Sequence, residues 1–271
     1  MAIEARVVAD SIGPHGIAIT TMQLKYPRFI HAEFMTHRVF SRNASSSRAI
    51  PVAKMIEQVR KDPAMPIHWG KNQPGMQAHE ELTGPALDYA RRGWQEAAIC
   101  AASIAEAMNK AGAHKQVVNR ILEPFQHINV IVTATEWENF YELRNHPDAQ
   151  PEIKALAQAM LQAQRDSEPV QLDVGEWHLP YVRADERQSL PLDVLRKCSV
   201  ARCARVSYLT HDGQNPSVEK DIELYDRLVG SRPIHASPTE HQATPTQPSS
   251  WSGNLHGWFQ FRKIIEEGFK S

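Results

Sequence analysis

Cysteine is scarce. The 271 residues hold three, Cys100, Cys198 and Cys203, too few and too scattered for a disulfide framework, so a reducing, cytoplasmic setting is the expectation. An excess of either charge is missing too: 30 Lys and Arg against 31 Asp and Glu leave a formal net charge of -1. No whole-molecule field therefore steers the protein to nucleic acid or an anionic membrane, and anion recognition must be local. No apolar run approaches the roughly 20 residues of a membrane span, and the opening residues do not read as a signal peptide. The 13 histidines are dispersed, with no pair at zinc-ligand spacing beside cysteines, so no metal site is expected. Internal repeats and low-complexity tracts are absent. With 42% hydrophobic and 23% charged residues, the chain reads as an ordinary globular protein of one large domain or two small ones.

What is present is an alternation of strand and helix patterns. Residues 3–9 read as a strand, and after Gly13-Pro14-His15-Gly16 residues 17–24 read as its hairpin partner, ended by Pro27. Helices are expected over 28–39, over 52–60, over the Ala-rich stretch 85–110 and over 115–121, the last broken by Pro124. Residues 127–135, rich in β-branched side chains, make the best strand. Thr135-Glu136-Trp137-Glu138 reads as a capping box opening the helix that carries Asn139 and Arg144, and 151–165 reads as a further amphipathic helix. Residues 63–78, with an exposed-looking Trp69, form a long loop that either touches a ligand or packs. The proline-punctuated stretch 168–192 is the expected loop-rich junction between lobes 1–167 and 193–271. Beyond it come helices over 192–206 and 217–229, a surface loop over 230–253 and an aromatic segment over 254–267, in which Trp258 and Phe261 read as core.

The chemistry concentrates between Thr36 and Arg48. His37, Arg38, Arg42 and Arg48 share thirteen residues with Asn43, Ser45, Ser46 and Ser47. Guanidinium forks and hydroxyls on a loop leaving an apolar helix suit a phosphate, and the same composition suits a solvated basic loop. Composition alone does not separate the two.

Three segments together carry a resemblance. His37-Arg38, then seven residues, then Ser46, is similar to the Arg-His-Arg-x7-Ser signature of the flavin-dependent thymidylate synthases. Asn139-Phe140-Tyr141-Glu142-Leu143-Arg144 followed by Ala149-Gln150-Pro151-Glu152-Ile153 resembles that family's Asn-Phe-x-x-Leu-Arg…Ala-Gln-x-Glu-Ile run, with Arg120-Ile121-Leu122-Glu123-Pro124 upstream. Ala204-Arg205-Val206-Ser207 and His235-Ala236-Ser237-Pro238-Thr239-Glu240-His241 resemble its Ala-Arg-Val-Ser and His-x-Ser/Thr-Pro-x-Glu-His elements. In the family those last two come first, so the order here implies a circular permutation.

The resemblance implies an α/β (α+β) fold with a twisted, mainly antiparallel sheet flanked by helices. It implies transfer of a one-carbon unit from methylenetetrahydrofolate to C5 of dUMP, giving dTMP, with FAD reduced by NADPH. His37, Arg38, Asn43, Ser207, His235, Ser237, Glu240 and Asn254 would contact flavin. Ser46, Ser47, Arg48, Arg120 and Arg144, with Glu33, would hold the nucleotide, Ser46 and Arg144 acting closest to the chemistry, at the interface of a homotetramer. Asn254, His256 and Gln260 either line the flavin or close the sheet. The departures are Thr36 for the signature's first Arg, Ala44 for an acidic residue and Glu33 for a Gln, which lower the local charge by about one and leave open a cytosine base. A pyrimidine nucleotide hydroxymethylase acting on dUMP or dCMP is the runner-up, and a nucleic-acid-binding module using residues 37–48 is the reading from another class. No cysteine adjoins a candidate nucleotide contact, so a thiolate nucleophile is not suggested.

Overall fold

The β-branched run that begins at His127 lies inside a sheet. A computed structural model describes residues 3–206 and 217–268. β1 (Glu4–Ile12), β2 (Ala18–Pro27), β3 (Ser41–Ala44), β4 (His127–Ala134) and β5 (Val170–Gln171) form five strands in the order β3-β4-β2-β1-β5. Every pairing is antiparallel except β1 with β5. Helices flank the sheet, so the mainly antiparallel α/β architecture implied by the sequence is the one observed.

Register decides which residues share a face. Met22 opposes Val132, Leu24 opposes Val130 and Tyr26 opposes Ile128. These six meet Phe34 of α1 (His31–Phe34), Phe140, Leu156 and Met160 in one core. Each large apolar side chain buried there contributes about 1.5–3 kcal/mol. Beside the sheet, α2 (Val52–Lys61), α3 (Gly84–Lys110) and α4 (Lys115–Val118) build a second core from Met55, Val59, Ala98, Ala102, Ala105 and Val118, joined by Leu122 of the following 3-10 helix (Asn119–Phe125). α5 (Glu138–Arg144) and α6 (Pro151–Arg165) follow β4.

The opposite sheet face is covered by the carboxy-terminal part of the chain. It comprises α7 (Ala184–Ser189), α8 (Leu192–Ala204), α9 (Val218–Leu228), the strands β6 (Ala243–Pro245), β7 (Trp251–Ser252), β8 (Leu255–His256) and β9 (Trp258–Gln260), and α10 (Phe261–Gly268). Ile19 packs with Leu172, Leu255 and Trp258, and Ile131 packs with Cys203 and Val206. Between these apolar contacts runs a buried polar seam. Ser11 Oγ meets His178 Nδ1 at 2.9 Å, His178 Nε2 meets Thr21 Oγ1 at 2.8 Å, Thr21 meets Thr133 at 2.7 Å, and Thr133 meets His241 Nδ1 at 2.8 Å.

Several expected elements differ. The helix expected over 28–39 is a 3-10 turn (Arg28–Ile30) and the four residues of α1. It stops because Arg42 Nη1 donates to the carbonyls of Phe34, Met35 and His37, and the Thr36 hydroxyl donates to that of Glu33. Part of the expected loop 36–48 is β3, paired to β4. The capping box at Thr135 does not form: Thr135 Oγ1 accepts the backbone N–H of His256, and the helix begins after Trp137 without a side-chain cap. The junction 168–192 is less loop-rich than expected, since β5 and α7 lie within it. The stretch 230–253, expected on the surface, buries Thr239, His241, Gln242 and Ala243 completely, because it covers the sheet face. Trp69 is half-buried, edge-on to Trp94 at 6.2 Å, and Ile67 N–H donates to Glu152, which ties down the 63–78 loop.

Candidate active site

β3 brings the signature residues against the 3-10 turn Ser237–Glu240. Its start is fixed from the far end of the chain. Ser41 Oγ donates to Asn254 Oδ1 at 3.0 Å, Asn254 Nδ2 donates to the Val39 carbonyl at 2.8 Å, and Gln260 Nε2 reaches both Ser41 Oγ and the Glu240 carbonyl. In this chain Asn254 and Gln260 thus hold β3 to its cover.

Where the two segments meet, a cavity of about 550 Å³ opens. Asn43, Ser46 and Arg48 line it from one side and His235, Ser237 and Pro238 from the other, with His31 and Arg42 beside them. Its size falls in the roughly 300–1,000 Å³ range of small-molecule sites. The Arg48 side chain is exposed and has no hydrogen-bond or ion-pair partner among the described residues. Arg42 is different: its Nη1 is spent on three carbonyls, which makes it a brace for the turn above β3. His31, His114 and Gln116 are also in the lining, and sequence reasoning assigned them no role. Nothing in their local sequence marks them, since they reach the cavity only through the packing of α1 and α4.

A second cluster forms outside that lining. Arg144 Nε donates to His37 Nε2 at 2.9 Å, Nη2 donates to Thr36 Oγ1 at 3.3 Å, and Nη1 lies 3.6 Å from Glu33. Two of the three departures from the signature, Glu33 and Thr36, therefore converge on one guanidinium; the third, Ala44, lines the cavity. His37 is stacked on Phe40 and edge-on to Phe140, and burial, then Arg144 and Arg42, lower its pKa to about 4. It is neutral at pH 7, as an acceptor of the Arg144 N–H must be.

The remaining expected site residues are dispersed. Ser47 donates to Glu123, and Arg120 and Arg28 pair with the same carboxylate. Glu240 is ion-paired with Arg262, and Arg38 is exposed in the turn before β3. Ser207 lies outside the described residues. Cys198 and Cys203 are buried, which pushes the Cys198 thiol up to about 11 and the Cys203 thiol higher still, and Cys100 is exposed on α3. Among the described residues no cluster of His, Cys, Asp or Glu could hold a metal ion. No helix among them is long and apolar enough to cross a membrane.

The donor set fits an anionic nucleotide. Two guanidinium groups, of which Arg42 is spent on carbonyls, two hydroxyls, two amides and three imidazoles around a cavity suit a phosphate at one end and a heterocycle at the other.

Comparisons with known proteins bear on this geometry. The family model described as thymidylate synthase complementing protein (Thy1) matches residues 13–170, more than half of the chain. The match covers the signature and the Arg144 region and stops before His235 and Ser237. No curated protein matches. Among the solved structures that match is a UMP/dUMP methylase, PolB, from Streptomyces cacaoi. Bound with 5-Br dUMP it shares 16% identity, with 60% of this chain and 89% of that chain covered, at a TM-score of 0.50. Bound with 5-Br UMP the values are 16%, 60%, 88% and 0.48. At such identity the likeness is one of fold.

Proposed function

The chain belongs to the thymidylate synthase complementing protein family and is a thymidylate synthase-like methyltransferase, and from that premise we propose that it carries out flavin-dependent transfer of a one-carbon unit from methylenetetrahydrofolate to C5 of dUMP, giving dTMP. The observation that carries this reading is the single cavity shared by Asn43, Ser46 and Arg48 with His235 and Ser237, residues from opposite ends of the chain. The similar fold of a methylase described as bound with a dUMP analogue supports it.

In this reading Arg48 and Ser46 hold the nucleotide phosphate by charge-assisted hydrogen bonds. Asn43, His235 and Ser237 hold FAD, with His37 and Arg38 contributing from the turn above β3. Bound FAD, reduced by NADPH, supplies the redox chemistry that completes the methyl group. The protein supplies positioning. Arg42 braces the backbone of residues 34–37, and Asn254 and Gln260 hold β3 to the 237–240 turn. Glu240 acts through this turn. Arg120, Arg144 and Ser47, away from the cavity of their own chain, would complete the nucleotide site of a neighbouring subunit in a homotetramer. The buried thiols are held protonated, in keeping with a reaction that uses no cysteine nucleophile.

A second reading is favoured by Glu33 on Arg144. A carboxylate there offers an acceptor to the amino group of cytosine, and a hydroxymethylase acting on dUMP or dCMP follows on the same scaffold. A nucleic-acid-binding role is disfavoured by the net charge and by the commitment of Arg42 to carbonyls.

The test is incubation of the purified protein with FAD, NADPH, labelled methylenetetrahydrofolate and dUMP or dCMP, followed by mass analysis of the nucleotide. The expected product is dTMP from a yellow protein. A hydroxymethyl nucleotide selects the second reading, and a protein that stays colourless with added FAD overturns both.

A further inference from the structure

Tyr26 stands at the end of β2, completely buried, with its hydroxyl 2.9 Å from His31 Nδ1. Burial raises its pKa well above the usual phenol range, so the hydroxyl keeps its proton, and a buried proton needs an acceptor. Among the described residues His31 Nδ1 is its only hydrogen-bond partner. Tyr26 therefore donates and Nδ1 accepts. A neutral imidazole carries one proton, and with Nδ1 occupied as acceptor that proton sits on Nε2. His31 is neutral at pH 7, because burial and then Arg28 and Arg42 lower its pKa to about 4. Its Nε2 has no partner among the described residues and is not among the buried polar atoms left unsatisfied. The ring lines the cavity that Ser46, Arg48, His235 and Ser237 share.

The geometry points to His31 as an uncharged N–H donor in this cavity, aimed by Tyr26 through Nδ1, that binds the imide carbonyl oxygen of a planar heterocycle. A uracil ring and a flavin ring both present that acceptor, and this inference rests on the function proposed above. A phosphate would call for a cation, which Arg48 already supplies at the same cavity. Burial, and then Arg28 and Arg42, keep His31 from becoming another. A neutral donor matched to a neutral carbonyl adds orientation without bringing further charge into the site. Tyr26 is then a positioning residue: it touches no ligand and fixes which ring nitrogen carries the hydrogen.

The test has two parts. In the ligand-free protein, 15N NMR of the His31 ring should show Nε2 protonated and Nδ1 as a bare acceptor, with Tyr26→Phe giving a mixture of tautomers. A ring protonated on Nδ1 in the wild type overturns the role of Tyr26. Calorimetric titration with dUMP alone and with FAD alone then distinguishes the two heterocycles. His31→Ala should weaken roughly 3- to 10-fold the ligand whose carbonyl meets Nε2, leave the other unchanged, and be partly rescued by His31→Gln, which keeps an N–H donor. If His31→Ala does not fold, the wild-type Nε2 resonance serves instead and should move with one ligand only. Unchanged affinities for both ligands, or an unmoved resonance, overturn the carbonyl contact and leave the proposed function standing. If neither ligand binds the wild type, the contact and the proposed function fall together.

Discussion

Arg144 Nε donates to His37 Nε2 across 2.9 Å of space and 107 positions of sequence, and the same guanidinium reaches Thr36 and Glu33. The fork ties α5 to the turn before β3 with all three of its nitrogens. Arg144→Lys offers one point charge in place of that fork. The expected cost is about 1–2 kcal/mol of folding stability, read from urea denaturation. An unchanged midpoint would show that the contact contributes nothing.

Acid should destabilise the protein well before its carboxylates titrate. Burial holds His31 and His37 at about 4 and His178 and His241 at about 3, all below the ordinary value of 6.5. Their folded pKa values are depressed, so the unfolded chain binds more protons between 6.5 and those values. The stabilisation is present above pH 6.5 and is lost as pH falls toward 4 and then 3. Each such histidine contributes a slope of about 1.4 kcal/mol per pH unit in that window. Denaturation midpoints should hold from pH 7.5 to about 6.5 and then fall steadily down to about pH 5, and a flat profile below about 6.5 would contradict the burial of these rings.

Asp221 is completely buried between two arginines, accepting from Arg202 Nε at 2.7 Å and Arg205 Nη2 at 2.8 Å. Asp221→Ala leaves both guanidinium groups short of a partner. A loss of about 3–5 kcal/mol is expected in thermal or chemical denaturation. Because α8 carries Arg202 and Ala204 of the cavity wall, with Arg205 at its C-terminal cap, nucleotide affinity should fall with it.

Arg48→Ala separates binding from folding. The side chain is exposed and has no partner among the described residues, so stability should stay within about 0.5 kcal/mol. Calorimetric affinity for dUMP should drop by about 1.5–3 kcal/mol, roughly 10- to 150-fold. Equal affinity in the variant would overturn the phosphate role proposed for Arg48.

How far these features could be read from the sequence depends on how local their causes are. β4 and α6 announce themselves, since β-branched density and helical periodicity are properties of consecutive residues. The mainly antiparallel sheet and the signature residues Asn43, Ser46 and Arg48 were reachable through the three motif segments. β3 was not: four residues become a strand only because β4 supplies a partner. The early stop of α1 was also hidden, because the side chain that takes its last carbonyls is Arg42, beyond the expected helix end. Glu33 and Thr36 stood out as departures, but their common target Arg144 required coordinates. The burial of Thr239 and His241 in a stretch rich in proline, serine and threonine followed from a sheet face that no local pattern describes.

The bond from Ser41 to Asn254 joins residues 213 positions apart. A ribosome adding 5–20 residues per second needs roughly 10–40 s to make that interval. Throughout it the first strand of the signature has been synthesised while the side chains that anchor its start do not yet exist. The cavity can therefore close only after Asn254 has been made, and a nascent chain shorter than that lacks the bond that fixes β3.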